Sequence, residues 1–296
     1  MRLHFHSFAL NALAGIGAAA FALLGGLEGY AARAQEDGPA PTKVEFDPAN
    51  FIVPTLSTNP YHPTRPGQQF IRAGTTEVGS RKVPHLVIST VTDVIRVIDG
   101  VTAVAMLDQS TDSGEISQVG FDYLALDTAG NVWIMGGYTE DYEGGVYTNV
   151  DAAFLGRATG GEPGILMPAV VTMATPRWYI GTAGPDETPS EGEPVAVGLT
   201  VKVIFGEYTQ VIAVREGNRG AIDNEVKYYA PGVGVIWNNP QLKSLHQDSF
   251  EVVNIVELTP EGLAEASQVV LDLEEHARTV APEVYGKAVK STRMLP

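Results

Sequence analysis

Between Phe70 and Leu258 short apolar stretches alternate with tight-turn signals, a pattern that predicts β-strands. Leu86 to Ile98 is dense in β-branched residues, Asp99-Gly100 offers a two-residue hairpin turn, and Val101 to Leu107 returns. Asp112-Ser113-Gly114 turns next, and Glu115 to Leu126 sets Val119, Phe121 and Tyr123 on one alternating face. Asp127-Thr128-Ala129-Gly130 leads into Asn131 to Tyr138, and the acidic stretch Glu140 to Gly145 precedes Val146 to Val150. Asp151 to Gly192 is rich in Gly and Pro and reads as irregular. Strands resume over 194–205, 207–216, 225–229, 234–237 and 250–258.

One helix is predicted near the end. Thr259 can cap it, Pro260 suits its first turn, and Glu261 sits at the positive end of its dipole. Leu263, Ala266, Val270, Leu273 and Ala277 recur at spacings of three and four, giving one apolar stripe to pack on the sheet. Lys287 to Pro296 reads as loose and basic. No repeat and no strand–helix alternation occur. The expected fold is mainly β: an antiparallel sandwich or a curved, partly open barrel, with one C-terminal α-helix. The expected organisation is a signal peptide over 1–34, a flexible leader over 35–50, one β domain over 51–258, the helix over 259–281 and a tail over 282–296.

The N-terminus supports export. Arg2, His4 and His6 precede the apolar run Phe8 to Leu24, and Ala32-Arg33-Ala34 has the small-x-small form a signal peptidase accepts. The expected location is the periplasm or the exterior, with no integral membrane segment after the signal is removed. The 296 residues include no cysteine, so disulfides, thiolate metal sites, a cysteine nucleophile and an N-terminal lipid-bearing cysteine are excluded. Nineteen basic residues against 35 acidic ones give a net charge of −16, which repels phosphate backbones and disfavours nucleic acid. Nothing in the sequence sets the oligomeric state.

Signatures of catalysis are absent: no G-x-S-x-G elbow, no phosphate-binding or dinucleotide glycine pattern and no H-E-x-x-H. His62, His85, His246 and His276 are far apart, so neither a metal site nor a cofactor is expected. Asp127 to Trp133 reads as a turn in which Asp127 holds the backbone and Gly130 takes a positive φ. Glu140, Asp141 and Glu143, flanked by Tyr138, Tyr142 and Tyr147, form either a solvated loop tip or a seat for a cation or sugar. Asp122 and Glu140 could pair as acid and base if the fold brought them together. In Tyr228-Tyr229-Ala230-Pro231-Gly232-Val233-Gly234, two aromatics end a strand before a Pro-Gly turn.

Four segments in order carry a resemblance: Asn59-Pro60-Tyr61-His62-Pro63 with Pro66-Gly67, Asp127 to Trp133, Pro163 to Ala169, and Lys227 to Gly234. Together they resemble a family of uncharacterised bacterial exported proteins. The likeness implies export and a β fold and brings no activity with it. His62 stands where the family has an aromatic, and Gly137 where it has an acidic residue. The leading functional expectation is a non-catalytic binding or carrier protein for an apolar or amphiphilic small ligand, held by Phe121, Tyr123, Trp133, Tyr228 and Tyr229. The alternatives are a structural or interaction module of the envelope, and a hydrolase using Asp122, Asp127 and Glu140.

Overall fold

A computed structural model describes residues 39–53, 58–184, 187–218, 225–240 and 248–294. The signal-peptide reading over 1–34, residues 35–38 of the leader and His246 lie outside them. The strands are β1 (Phe51–Ile52), β2 (Gln68–Val78), β3 (Arg81–Ile98), β4 (Val101–Asp112), β5 (Glu115–Asp127), β6 (Val132–Glu143), β7 (Val146–Leu155), β8 (Glu162–Met167), β9 (Trp178–Thr182), β10 (Ser190–Val203), β11 (Gly206–Asn218), β12 (Glu225–Ala230), β13 (Gly234–Pro240), β14 (Ser249–Glu257) and β15 (Thr292–Arg293). The helices are α1 (Pro260–Val280) and α2 (Pro282–Tyr285).

Hydrogen bonding runs β5-β4-β3-β2-β14-β13-β12-β11-β10-β9-β8-β6, and β6 pairs again with β5. Twelve antiparallel strands therefore close into a barrel, with β1, β7 and β15 as additions. The mainly β fold with a C-terminal helix is the one the sequence predicts; of the two architectures left open the barrel forms, and its ring is closed. Closure depends on the length of β6. Its first residues pair with β8 (Val132↔Met167, Trp133↔Ile165), while the strand also lies along β5 from Leu126↔Val132 to Gln118↔Asp141. Bulges, such as the shift between Tyr123 and Leu124 against β6, supply the bending that closure requires.

The Gly- and Pro-rich middle is not irregular as expected, because it contributes β8 and β9 to the ring. Its glycines allow close approach. A Cβ on Gly164 would lie 2.4 Å from the Ile180 carbonyl oxygen, and one on Gly192 would lie 2.2 Å from the Trp178 ring.

Helix α1 begins as the sequence predicts, with the Thr259 hydroxyl accepting from Gly262 N at 3.2 Å. Its buried face carries Val270, Leu273 and Ala277, joined by Ser267 and Glu274. Glu274 accepts from Tyr123 Oη at 3.0 Å and pairs with Arg96 at 3.1 Å and Arg278 at 3.0 Å. That network ties helix to barrel. The tail is docked, against the expectation that it is loose. Tyr285 is fully buried, Ser291 joins Glu274 and Tyr123, β15 pairs with β3, and Arg293 forms a two-pronged pair with Asp93 at 2.8 and 2.7 Å.

The Pro-rich segment around Asn59 to Gly67 spans one end of the barrel. Asn59 Nδ2 donates to the carbonyls of Gly130, Met167 and Pro168 at 3.0, 3.2 and 3.1 Å. Tyr61 Oη reaches Gln210 O, Gly232 N reaches Pro60 O, and Gly67 N reaches Val91 O. By the antiparallel order these contacts all lie at the same end. The β4–β5 turn and the first residues of β12 and β14 lie at the other.

Candidate functional site

On β4 and β5 the two faces differ. Ala103, Ala105, Leu107, Phe121 and Tyr123 are buried on the side that α1 and α2 cover. Met106, Asp108, Ser110 and Asp122 point the opposite way, toward the barrel axis, and keep partial exposure. These axis-facing side chains are thus partly accessible to solvent inside the ring. The cross-strand register sets Ser89 opposite Asp108 and Met106 opposite Asp122.

A charged cluster lines this interior. Arg72 donates from Nε to Val235 O at 2.8 Å and from Nη1 to the Ser89 hydroxyl at 2.7 Å, and Ser89 in turn donates to Asp108. On the far wall, Lys227 pairs with Glu216 at 3.1 Å and Glu225 at 3.4 Å. Tyr229 donates to the other Glu216 oxygen, and Asn238 Nδ2 donates to Glu225 at 2.8 Å. Around the ring, β4 and β12 are separated by β3, β2, β14 and β13, yet Asp108 and Asp122 both feel the charge of Lys227. The two walls face each other across the lumen. The Lys227 side chain keeps 28% exposure despite its depth, as expected of a group on a water-accessible cavity.

The electrostatics follow from this placement. Burial, and then the neighbouring Asp108, push the Asp122 carboxyl up to about 7, with Lys227 opposing. Burial also raises Asp108, against the Ser89 hydroxyl and Arg72. Burial holds Arg72 below its ordinary value, and burial with the Arg72 charge takes His62 down to about 4. Glu216 holds Lys227 well above the usual lysine range. Asp122 has no side-chain hydrogen bond among the described residues. A Cβ on its cross-strand partner Gly137 would lie 2.5 Å from Asp122 Oδ1, so glycine there makes the room the carboxylate occupies.

The five aromatic residues singled out in the sequence are all buried, at 0–5% exposure, and each is engaged in packing or hydrogen bonding within the core. Phe121 and Tyr123 pack edge-on at 5.2 Å, with Phe121 also against Tyr285 under the helices. Trp133 lies between Phe46 and Phe51 and donates to Asp127 at 2.8 Å. Tyr228 stacks on Trp237 at 4.5 Å, and Tyr229 is bound to Glu216.

The carboxylates named with them are dispersed. Asp127 spends both oxygens on its turn, accepting from Ala129 N, Asn131 N, Asn131 Nδ2 and Trp133 Nε1. Glu140 is part of β6 and not of a loop tip. It is 1% exposed and accepts from Tyr138, Tyr142 and His276 Nδ1. Its register partner Val119 lies on the helix side, so Glu140 and Asp122 occupy opposite faces of the sheet and cannot act as a pair. His85 reaches Asp112 at 2.7 Å and Asp248 at 3.3 Å.

No known family model matches the chain, and no curated protein matches it. One solved structure, of a Bacteroides fragilis protein assigned a YmcC-like fold, is similar at 14% identity and a TM-score of 0.38. The match covers 66% of this chain and 98% of that one. A likeness this distant carries no argument about this chain, and the lumen is read from its own residues.

Sequence reasoning missed Arg72, Asp108, Lys227 and Asn238. A signal was present: Arg72, Asp108, Asp122 and Lys227 are lone charges with an apolar neighbour in strand-like runs (Ile71, Leu107, Phe121 and Tyr123, Val226 and Tyr228). In a strand buried on one face by a helix, such a charge must point to the other face.

Proposed function

We propose that the protein is exported and acts as a non-catalytic binding protein, holding a small polar ligand in the charged lumen. Export is supported by the basic start, the apolar run and the Ala32-Arg33-Ala34 site. Among the described residues no helix is long and apolar enough to cross a membrane. The observation that carries the binding reading is Asp122: a carboxylate deep in a closed barrel, partly accessible, with no protein hydrogen-bond partner among the described residues. A buried polar group without a partner costs about 1–3 kcal/mol, so folds retain such groups where a ligand or water completes them. The lumen favours a polar ligand over the apolar one expected from the aromatics, because those side chains are spent on packing.

The test is native mass spectrometry of protein purified from its own envelope, with and without Asp122→Asn. The reading expects a bound small molecule on the wild type and its loss in the variant. At a ligand concentration 100 times Kd, binding stabilises the fold by about 2.7 kcal/mol. No adduct, together with no melting shift across a panel of polar metabolites, would refute it.

A further inference from the structure

We infer, building on the lumen as the binding site, that the ligand is a small organic cation with a primary ammonium head. Charge balance is the first argument. Arg72 and Lys227 stand against Asp108, Asp122, Glu216 and Glu225, so two cations face four carboxylates. The second argument is which valences remain open. Both cations already have partners: Arg72 donates to Val235 O and Ser89, and Lys227 pairs with Glu216 and Glu225. Acceptors remain open as well: the carboxylate of Asp122 has no hydrogen bond among the described residues, and the side-chain oxygen of Asn238, a residue 0% exposed, has no donor. Turning the amide over would set that oxygen against Glu225 and the Asp248 carbonyl, so the assignment stands on its partners. Asn238 is the register partner of Lys227 and shares its face. A site with excess negative charge and open acceptors favours a ligand that brings positive charge and N–H groups to fill them, and it repels an anion.

Proton exchange follows. Asp122 feels Asp108 from β4 and Lys227 from β12, and its own charge reaches Tyr285 of α2. Around these partners Arg72 from β2 acts on Asp108, Glu216 from β11 and Tyr229 from β12 act on Lys227, and His62 of the end-spanning segment feels Arg72 and Lys227. An arriving ammonium favours the ionised carboxylate, so Asp122 gives up its proton when the ligand binds. With its carboxyl at about 7, binding at pH 7 releases about half a proton, and affinity falls about tenfold per pH unit well below that point.

The intact protein is titrated calorimetrically at pH 7 with ethanolammonium, tetramethylammonium, calcium and glucose, in phosphate and in HEPES. Ethanolammonium is expected to bind, with a buffer-dependent heat that reports the released proton. Asp122→Asn, confirmed as folded by its melting curve, should abolish the proton release and weaken binding roughly tenfold or more. Equal binding of tetramethylammonium or calcium would overturn the requirement for N–H donors. Binding of glucose without ethanolammonium would overturn the cation and leave the lumen reading intact. No binding of any probe, with no molecule retained from the native envelope, would overturn both.

Discussion

Replacing Asp122 by Asn should stabilise the protein, and by an amount that depends on pH. Burial and Asp108 raise the carboxyl from 3.8 to about 7 in the folded state. The unfolded chain loses this proton near 3.8, so between that pH and 7 the folded state binds more protons and stability falls as pH rises. At 1.36 kcal/mol per unit, the full interval is about 4 kcal/mol, and water in the lumen reduces it to roughly 2–4 kcal/mol. Asparagine has the same shape and no charge to desolvate. Near pH 4 the variant should match the wild type, and by pH 8 it should exceed it by that margin. For a chain of this size 1 kcal/mol is worth about 2–4 °C in Tm, so the gap at pH 8 should reach several degrees. Urea melts of both proteins at half-unit steps from pH 4 to 9 measure it. A difference that stays flat across the range would show that Asp122 is not a buried, charge-strained group, and the lumen argument would fail with it. A variant that is more stable and yet no longer binds is the usual signature of a functional group kept against the interest of the fold.

Other substitutions test the frame around the lumen. Asn59→Ala removes one amide that serves three carbonyls, and should cost about 1–3 kcal/mol in a urea melt. Glu274→Leu leaves the 4%-exposed Arg96 side chain without its counter-charge, and should cost about 3–5 kcal/mol by the same measurement. Gly192→Ala drives a methyl into the Trp178 ring, and should cost about 1–3 kcal/mol with a shift in tryptophan fluorescence.

What the sequence revealed were features set by neighbours in the chain. The Asp99-Gly100 turn forms with φ values of 49° and 85°, as the hairpin pattern requires. Asp127 holds its turn, and Thr259 caps α1. What stayed hidden depends on long-range closure. Strands β8 and β9 are disguised by glycines whose use is visible only once Ile180 and Trp178 lie across from them. The tail looked loose because its partners, Asp93 and Glu274, come from distant elements. The site was obscured for a related reason. Phe121, Asp122 and Tyr123 alternate between a helix-covered face and a lumen, and only the closed ring distinguishes that lumen from solvent. Aromatic content drew attention to side chains that the core consumes, while the groups left open are carboxylates and an amide.

The barrel is sealed by β2 against β14, with Gln68 opposite Glu257. The first full strand of the ring thus pairs with the last one, and α1 and β15 pack on β3 while α2 packs on β7. A nascent chain lacking its final segments can form hairpins but cannot complete the ring. High contact order of this kind slows folding. Under the export proposed above, in which the polypeptide is threaded through a membrane as an extended chain, that delay would serve transport: the ring cannot close before β14 has been made.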